Sequence, residues 1–557
     1  MKRDLGTYLL FKGMVAKGNR DLKDLNNNTV DAGKKNKKLL FKILRDNKDC
    51  EYGKKHNFAS ISSIEDYRKQ VPLSTYEDYH PYIQRMIDNN EEDILCSYPL
   101  VAYAQTSGTT GKHKFIPLTQ KVINLYQKYT LTTMVAMTDR YCREKYGRPL
   151  KPGRGLFICI EFEDKLPNGR AATNVPEITA KQLSWLYPYL TNVPFKKLFK
   201  LGDVSGYYLY LRFALEDKNT MYIFGVFFSF IYEMLHYLKA NWGTFVDDIA
   251  NGTISELARP TPEARKEMMD FIKPNPERAA ELRKEFEKGF DETILQRIWP
   301  NLSVIYGIAN SVYTSYADNV RKISGDIPFD YSIYGASEGL FATPDSLNEG
   351  KRLLLPDSCF FEFIPVDDES KILLIDELEI GKEYEIVITT QAGLYRYRLG
   401  DIIEVVEYKN QCPYVFFSRR KGHLISITGE KTAEHHFDEV IKEISKAAGT
   451  EIHEWVVYVN NDTHPGHYTL AIENDAGLDL SIYNEMAEEL LRKVNPIYDR
   501  FRKVLGIRPM TIVNQKPGSH SEWVDHMVKK GTARTQVKPV RVLDNKEKID
   551  FFLERVI

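Results

Sequence analysis

The sequence has few cysteines and almost no excess of charge of either sign. Its six cysteines include no two that lie close together and no C-x-x-C pair, which argues against a disulfide scaffold or a zinc ribbon. With 76 basic and 77 acidic residues, the net charge of −1 argues against binding to nucleic acids or membrane surfaces. The cysteine usage fits a reducing compartment, so we expect a cytoplasmic protein.

Long hydrophobic runs are also missing. The most apolar stretch, residues 221–232 (MYIFGVFFSFIY), is far shorter than the ~20 residues of a membrane span, and predicts a buried strand that continues into a helix. In the basic N-terminus, Lys12 interrupts the apolar stretch and no clean cleavage site follows, which favours a helix over a signal peptide. The twelve histidines show no metal-ligand spacing, and no G-x-S-x-G elbow supports serine hydrolase chemistry.

The chain does have the length and patterning of a multidomain α/β protein. One core rarely exceeds about 250–300 residues, so a chain of 557 predicts at least two domains. Residues 35–95 have helical spacing with cap-like Ser and Thr, and residues 260–290 predict a helical pair. Between residues 350 and 418, KILLID, YEIVITT, DIIEVVEY and YVFFS predict an antiparallel sheet, and alternating strands and helices follow it.

The segment YAQTSGTTGKHKFIP, Tyr103 to Pro117, predicts a phosphate-binding loop between a strand and a long helix. Its glycines let backbone N–H groups point inward, while its hydroxyl groups and a lysine add donors and positive charge. It is not a Walker A loop, because Thr106 stands where that motif needs glycine and His113 where it needs Ser or Thr. The candidate phosphate-binding residues are Thr106, Ser107, Gly108, Thr109, Thr110, Gly111 and Lys114, with Lys112 as the alternative lysine.

The stretch TSGTTGKHK resembles the phosphate loop of the adenylate-forming superfamily of acyl-CoA synthetases, nonribosomal adenylation domains and luciferases. Its continuation, FIP, resembles the plant acyl acid–amido synthetases of the auxin-responsive Gretchen Hagen family and their bacterial relatives, and we expect a bacterial-type member. The stretches RIWPNLSVI and FFSFIYEMLHYLKANWGTFVDDIANG are similar to the same family, and the resemblance covers residues 35–550.

Two downstream motifs fit this resemblance. YGASEG matches a superfamily segment that stacks on adenine and holds Mg²⁺, which implies nucleotide contacts for Tyr334, Gly335, Ala336 and Ser337 and a metal-binding, catalytic role for Glu338. GLYRYRLGD matches the family pattern Y-R-x-G-D, which implies nucleotide contacts for Tyr397 and, through the ribose hydroxyls, for Asp401. Considered without the resemblance, Glu338 could cap a following helix, and the second motif could be a tight turn between strands.

The resemblance also implies a catalytic lysine near the C-terminus. Lys538 lies in a Q-x-K pattern, although the tail reads Lys-Pro-Val-Arg where the family has Lys-x-Pro-Arg; Lys516 and Lys431 are the alternatives. The basic segment SRRKGHLISITGEKT is similar to an interdomain hinge, and Arg420 within it is a further nucleotide-binding candidate. Residues 227–230 and 306–310 lie where the family lines its acyl pocket.

Taken together, these features predict an α/β fold with a large N-terminal domain over residues 1–418, a hinge over 419–430 and a small mobile α+β domain over 431–557. The large domain would have helices around β-sheets and a small β-barrel-like part. The implied activity is ATP- and Mg²⁺-dependent adenylation of a carboxylic acid, followed by acyl transfer to an amine, usually an amino acid. An acyl-CoA synthetase and a noncatalytic nucleotide-binding regulator stay open as alternatives, as do the acid, the amine and the oligomeric state.

Overall fold

The computed structural model describes residues 2–107, 113–157, 164–173, 175–194, 204–309, 314–420, 424–430, 432–450, 452, 454–473, 477, 479–504, 507–530, 540–543 and 545–557. The chain divides into two compact units. The first unit comprises Met1–Thr106 and Lys114–Arg419, and the second comprises Ser107–His113 and Arg420–Ile557. The domain limits at residues 418 and 431, and the hinge between them, stay predictions.

Helices make up much of the first unit. They are α1 (Lys2–Val30), α2 (Ala32–Asp46), α3 (Glu51–Lys55), α4 (Ile64–Gln70), α5 (Tyr76–Asp88), α6 (Gln120–Gln127), α7 (Thr133–Tyr146), α8 (Val175–Gln182), α9 (Tyr187–Leu190), α10 (Gly206–Glu216), α11 (Phe228–Asn251), α12 (Pro262–Met269), α13 (Pro276–Phe286), α14 (Ile294–Ile298) and α15 (Thr314–Ser324). The predicted capping residues are confirmed, because Ser63 and Thr75 form capping boxes with Asp66 and Asp78. The predicted N-terminal helix and helical pair correspond to α1 and to α12 with α13.

The first fifteen strands of the chain form three sheets. They are β1 (Leu100–Ser107), β2 (His113–Thr119), β3 (Leu156–Phe157), β4 (Asp164–Lys165), β5 (Ala171–Thr173), β6 (Tyr222–Phe227), β7 (Val304–Ile308), β8 (Phe329–Asp330), β9 (Tyr334–Ala336), β10 (Gly339–Thr343), β11 (Arg352–Leu354), β12 (Phe360–Pro365), β13 (Glu383–Thr389), β14 (Tyr397–Lys409) and β15 (Cys412–Arg420). The sheet orders are β2-β1-β5-β4, β3-β6-β7-β8 and β12-β13-β14-β15-β11-β10-β9.

The second of these sheets is parallel in its described pairings, and its β6 runs directly into α11, which confirms the strand and helix predicted for residues 221–232. The seven-stranded sheet is antiparallel in its described pairings and has β12 and β9 as its two ends, so among the described strands it is not a closed barrel. The strand predicted for KILLID is wrong. Leu373 makes only an isolated bridge to Phe363, and the Glu377 carboxylate then accepts the Leu374 N–H as the chain turns.

The second unit has its own sheet and core. Its further elements are β16 (Leu424–Ile425), β17 (Thr432–Ala433), α16 (Glu434–Ala448), β18 (Trp455–Asn460), β19 (His467–Glu473), α17 (Asn484–Val494), α18 (Pro496–Val504), β20 (Thr511–Gln515), α19 (Ser519–Lys529) and α20 (Lys546–Leu553). The sheet order is β18-β19-β20, and its core includes Phe437, Tyr468 and Leu491. This alternation of strands and helices is the predicted α+β pattern.

Two further features concern the helices and the cysteines. Among the described helices, none combines the length and the apolar character that crossing a lipid bilayer would require. The described cysteines Cys50, Cys96, Cys142, Cys359 and Cys412 are free and buried, while Cys159 lies outside the described residues.

Candidate active site

The YGASEG motif forms a β-hairpin. Tyr334–Ala336 is β9, which pairs with β10 in antiparallel register, and Glu338 lies in the turn between the two strands. Because a strand follows this glutamate, the alternative that it caps a helix is wrong. The Tyr126 hydroxyl on α6 contacts the carbonyl oxygens of Ala336 and Gly339 at 2.6 and 2.8 Å, which fixes the hairpin against that helix.

The GLYRYRLGD motif ends in a β-bulge. On β13, Glu385 and Val387 are two residues apart. Their partners on β14, Ile402 and Arg398, are four residues apart, so β14 has surplus residues at this point. The surplus residues of β14 include Gly400, whose φ of 79° is a left-handed conformation that glycine adopts without steric cost. Asp401 follows it, so this carboxylate lies in an irregular stretch within β14 rather than in the turn between β13 and β14.

Side chains of these two motifs are hydrogen-bonded to each other. The Tyr334 hydroxyl donates to Asp401 Oδ2 at 2.9 Å, and the Tyr397 hydroxyl donates to Glu338 Oε1 at 3.3 Å. All four side chains are at least 95% buried. The structure therefore brings two carboxylates from distant parts of the chain together with two phenols, in a place with little access to water.

Tyr334 lies in an aromatic environment. Its ring contacts Phe341 edge-on, with 5.2 Å between centroids, and is tilted against Phe417 at 5.8 Å. This packing keeps the ring of Tyr334 in one orientation, while its hydroxyl is held by Asp401.

The described end of the phosphate loop reaches Tyr76. The Lys114 ammonium lies 5.1 Å from the centre of the Tyr76 ring, and the Phe115 N–H donates to the Tyr76 hydroxyl at 3.0 Å. Burial raises the pKa of Tyr76; the Phe115 N–H lowers it, and the charges of Glu77 and Glu338 raise it further. Lys114 thus lies against the ring of Tyr76, whose hydroxyl is held by the backbone of the next residue, Phe115.

Several predicted site residues lie where the structure gives no side-chain position. Gly108, Thr109, Thr110, Gly111, Lys112, Lys431 and Lys538 lie outside the described residues, and Thr106, Ser107 and Arg420 are described only in their backbone, at the ends of β1 and β15. The roles of all these residues stay predictions. The alternative lysine, Lys516, is exposed and pairs with Glu522 at 3.0 Å.

The residues that hold the second motif in place are absent from the motif-based prediction. The buried guanidinium of Arg396 donates to the Glu362 carboxylate at 2.8 Å, and Arg68 donates to the same carboxylate at 2.8 Å. The Ser74 backbone bonds to Arg396 and Arg398, and the Tyr79 hydroxyl donates to the Tyr395 carbonyl at 2.7 Å. No local pattern signals these contacts, because their partners are tens to hundreds of residues apart.

A largely apolar cavity of about 150 Å³ lies beside the YGASEG hairpin. Its wall includes Phe11, Met14, Tyr126, Thr130, Leu131, Met134, Thr179, Leu183, Tyr222, Phe224, Val226, Tyr306, Ile308, Ser332 and Ile333. Of the predicted acyl-pocket residues, Tyr306 and Ile308 line it. Phe227, Phe228 and Phe230 are not among its described lining residues, and Asn310 lies outside the described residues. Strand β6 instead presents the alternate residues Tyr222, Phe224 and Val226 to the cavity.

A buried acid, Asp330, lies next to this cavity. It is fully buried and pairs across the sheet with Tyr306, and its Oδ1 accepts the N–H of Ser332 at 2.7 Å. Burial raises the pKa of Asp330 to about 6, against lowering contributions from the Ser332 N–H and the charge of Arg352. Because the folded-state pKa exceeds the ordinary value of 3.8, ionisation of Asp330 lowers stability as the pH rises from about 4 to about 6.

We expect Asp330→Asn to be more stable than the unmodified protein above pH 6, by about 1–3 kcal/mol, because asparagine cannot ionise. The difference should shrink to near zero by about pH 4. Urea unfolding at a series of pH values measures it. The control is Asp367→Asn, which removes an exposed carboxylate and should leave the pH profile of stability unchanged. An unchanged pH profile in Asp330→Asn would contradict the assigned pKa shift.

A comparison with solved structures defines the class of fold. The structure described as "AtGH3.15 acyl acid amido synthetase in complex with 2,4-DB" superposes with a TM-score of 0.64, covering 96% of this chain and 95% of that chain at 23% identity. A second structure, "GH3.15 acyl acid amido synthetase", gives a TM-score of 0.62 over the same shares. The chain therefore has the fold of an acyl acid amido synthetase, which confirms the predicted fold class.

Sequence comparison gives the family. Models described as the GH3 family N-terminal, central and C-terminal domains match residues 21–329, 352–420 and 435–547. The probable indole-3-acetic acid-amido synthetase GH3.1 of Arabidopsis thaliana is 29% identical, over 93% of this chain and 90% of that protein. The jasmonoyl–L-amino acid synthetase GH3.5 of Oryza sativa subsp. japonica is 26% identical, over 93% of both chains.

The chain belongs to the GH3 family. This result confirms the predicted family and the predicted class of enzyme, an amido synthetase. The expected bacterial type stays a prediction.

Proposed function

We propose that the protein activates an apolar carboxylic acid with ATP and then transfers the acyl group to an amine, with amide formation. The observation that carries this proposal is the contact between the two motifs, in which Tyr334 donates to Asp401 and Tyr397 donates to Glu338. The family relatives support it, since they are named as amido synthetases of indole-3-acetic acid and as a jasmonoyl–L-amino acid synthetase.

The nucleotide would be held by groups of opposite chemical character. Asp401 is a charged acceptor suited to ribose hydroxyls, and the adjacent Tyr334 ring offers an aromatic surface for adenine. Gly335, Ala336 and Ser337 would add backbone and hydroxyl contacts. The glycine-rich loop, with Thr106 to Gly111 and Lys114, would hold the phosphates.

Glu338 fits the part of a magnesium ligand. Its carboxylate is 5% exposed and accepts a hydrogen bond from the Tyr397 hydroxyl. Among the described residues, no lysine, arginine or histidine forms an ion pair with it. A buried carboxylate without a cation is costly, and Mg²⁺ in phosphate-transfer sites takes one or two carboxylates together with substrate phosphates. When bound, Mg²⁺ would neutralise charge on the departing pyrophosphate.

The apolar cavity would hold the body of the acid. Among its described lining residues there is no Lys, Arg, His, Asp or Glu, so a second charge on the acid would have no partner there. Its position supports this use, because Tyr126 lines the cavity and its hydroxyl also contacts the YGASEG hairpin. An acid bound in this way would keep its apolar body in the cavity and have its carboxylate next to the proposed nucleotide site.

In the first step, a carboxylate oxygen of the acid attacks the α-phosphorus of ATP, and the bond from that phosphorus to the pyrophosphate oxygen breaks. The protein needs to position the reactants and stabilise charge, without a covalent intermediate on a side chain. In the second step, the amine attacks the acyl carbon, AMP leaves, and the amine loses a proton. The role of Lys538 in the first step, movement at residues 419–430 and a cytoplasmic location remain part of this proposal.

The test is carboxylate-dependent exchange of labelled pyrophosphate into ATP across a panel of apolar acids. We expect exchange with at least one acid, and its loss when EDTA removes Mg²⁺. Amino acids and coenzyme A are then offered to an active pair, and we expect the amino acid to consume the adenylate. Consumption by coenzyme A alone would favour the thioester-forming alternative, and no exchange with any acid would favour the nucleotide-binding regulator.

A further inference from the structure

Helix α1 forms part of the cavity wall, although about two thirds of it precedes the region that the family model matches. That match begins at residue 21, whereas Phe11 and Met14 on α1 line the cavity. Both side chains are buried, with 1% and 5% exposure. This stretch also precedes residues 35–550, which carry the sequence resemblance.

Helix α1 is anchored on both sides of these two residues. Before them, the Thr7 hydroxyl donates to the Tyr189 carbonyl at 2.9 Å. After them, the Asp21 carboxylate accepts the Thr132 hydroxyl at 2.6 Å. Between these anchors Gly18 approaches the neighbouring helix so closely that a Cβ atom would lie 1.9 Å from the Thr132 carbonyl oxygen. The backbone that carries Phe11 and Met14 is therefore held in a defined place.

The segment that packs against α1 is not a regular α-helix where it contacts α1. Lys128–Thr132 is a π-helical turn between α6 and α7, and its Thr130 and Leu131 line the cavity. π-helical turns are rare and frequently occur at functional sites. Here the turn ends at Thr132, the residue that α1 contacts through Asp21 and Gly18. The π-helical turn and helix α1 together form one side of the cavity.

We infer that Phe11 and Met14 determine which acids the enzyme accepts, by setting the space available to the apolar body of the acid. This inference rests on the proposed function. A dry apolar cavity of about 150 Å³ accommodates a molecule about the size of benzene. The corresponding substrate class is a monocarboxylic acid with one apolar group of that size and no second charge.

The test compares acids of increasing length in one series: phenylacetate, 3-phenylpropionate and 4-phenylbutyrate. Phe11→Ala and the milder Phe11→Leu enlarge the cavity, so the ratio of kcat/KM for 4-phenylbutyrate to that for phenylacetate should rise at least about tenfold in Phe11→Ala. Phe11→Leu should change the ratio in the same direction by a smaller factor. A ratio measured on one preparation is independent of how much enzyme is correctly folded.

The control is Leu25→Ala on the same helix. Leu25 is also 1% exposed, but it is not among the residues that line the cavity, so its ratio should stay within about twofold of the unmodified enzyme. The same three acids are tested for stabilisation of each variant against thermal unfolding. This second readout reports binding without any chemistry.

The outcomes separate the two proposals. Exchange in the unmodified enzyme with equal ratios in Phe11→Ala and Leu25→Ala would overturn the role of α1 and leave the proposed function standing. Absence of exchange, together with a Phe11-dependent change in which acid stabilises the protein, would overturn the proposed function and support the role of α1. Absence of both effects would overturn both proposals.

Discussion

Asp401→Ala should lower carboxylate-dependent exchange of pyrophosphate into ATP at least about 100-fold at ATP concentrations below KM. A carboxylate that accepts two hydroxyl groups makes charge-assisted hydrogen bonds worth about 1.5–3 kcal/mol each, and alanine removes both. Asp401 is 4% exposed and has a fixed orientation through Tyr334, so water cannot readily take its place. The measurement is the initial rate of exchange as a function of ATP concentration, with the best acid from the panel.

Three comparisons make this result specific to the nucleotide site. Asp401→Asn keeps one acceptor oxygen and should lose less activity than alanine does. Tyr334→Phe keeps the ring but loses the 2.9 Å hydrogen bond to Asp401, and about a tenfold loss is expected. Asp367→Asn removes an exposed carboxylate and should retain activity within about twofold. Full exchange activity in a folded Asp401→Ala protein would remove this residue from the proposed site.

Arg396→Ala should lower the free energy of unfolding by about 3–5 kcal/mol, because the buried Glu362 carboxylate then keeps only one of its two arginine partners. Glu362 is 1% exposed and accepts hydrogen bonds from Arg396 and Arg68 at 2.8 Å each. Arg68 remains in the variant, but it is itself 28% exposed and reaches only one edge of the carboxylate. Urea unfolding followed by fluorescence measures the loss.

Activity should fall along with stability in Arg396→Ala. Arg396 directly precedes β14, and its carbonyl accepts the Ser74 N–H at 3.0 Å, so it positions Tyr397 and Asp401 at the start of that strand. Its φ of 48° is a conformation that costs a non-glycine residue about 1–2 kcal/mol. Arg396→Gly should therefore be less destabilised than Arg396→Ala, by about 1 kcal/mol.

A paired substitution tests the cause of this loss. Arg396→Met combined with Glu362→Leu removes both buried charges, and it should recover most of the stability that Arg396→Met loses alone. If the double variant is as unstable as the sum of the single variants, the ion pair is not the source of the effect.

The sequence shows both carboxylate motifs, because each is a short run whose residue types constrain the backbone. The phosphate loop, predicted between a strand and a helix, is instead followed by strand β2. Gly400 and Asp401 are adjacent in the chain, and the bulge that they share needs only the neighbouring strand. Glu338 was assigned from its resemblance to a superfamily motif, and it lies in the turn of a hairpin rather than at a helix start. The strand predicted for KILLID failed, since a period-two pattern does not reveal whether a neighbouring strand has room to pair along its whole length.

By itself, the sequence determined the family, the class of fold, most of the helices and strands, and the two motifs that carry the carboxylates. Only the tertiary structure decided that Tyr334 meets Asp401 across 67 residues, that Arg396 neutralises Glu362 across 34, and that Phe11 of α1 reaches a cavity bounded by β6 and β7. The physical reason is that short-range patterns follow from backbone geometry and side-chain preference within a few residues. Contacts between distant residues depend on how whole helices and sheets pack, and no local run of the sequence encodes that packing.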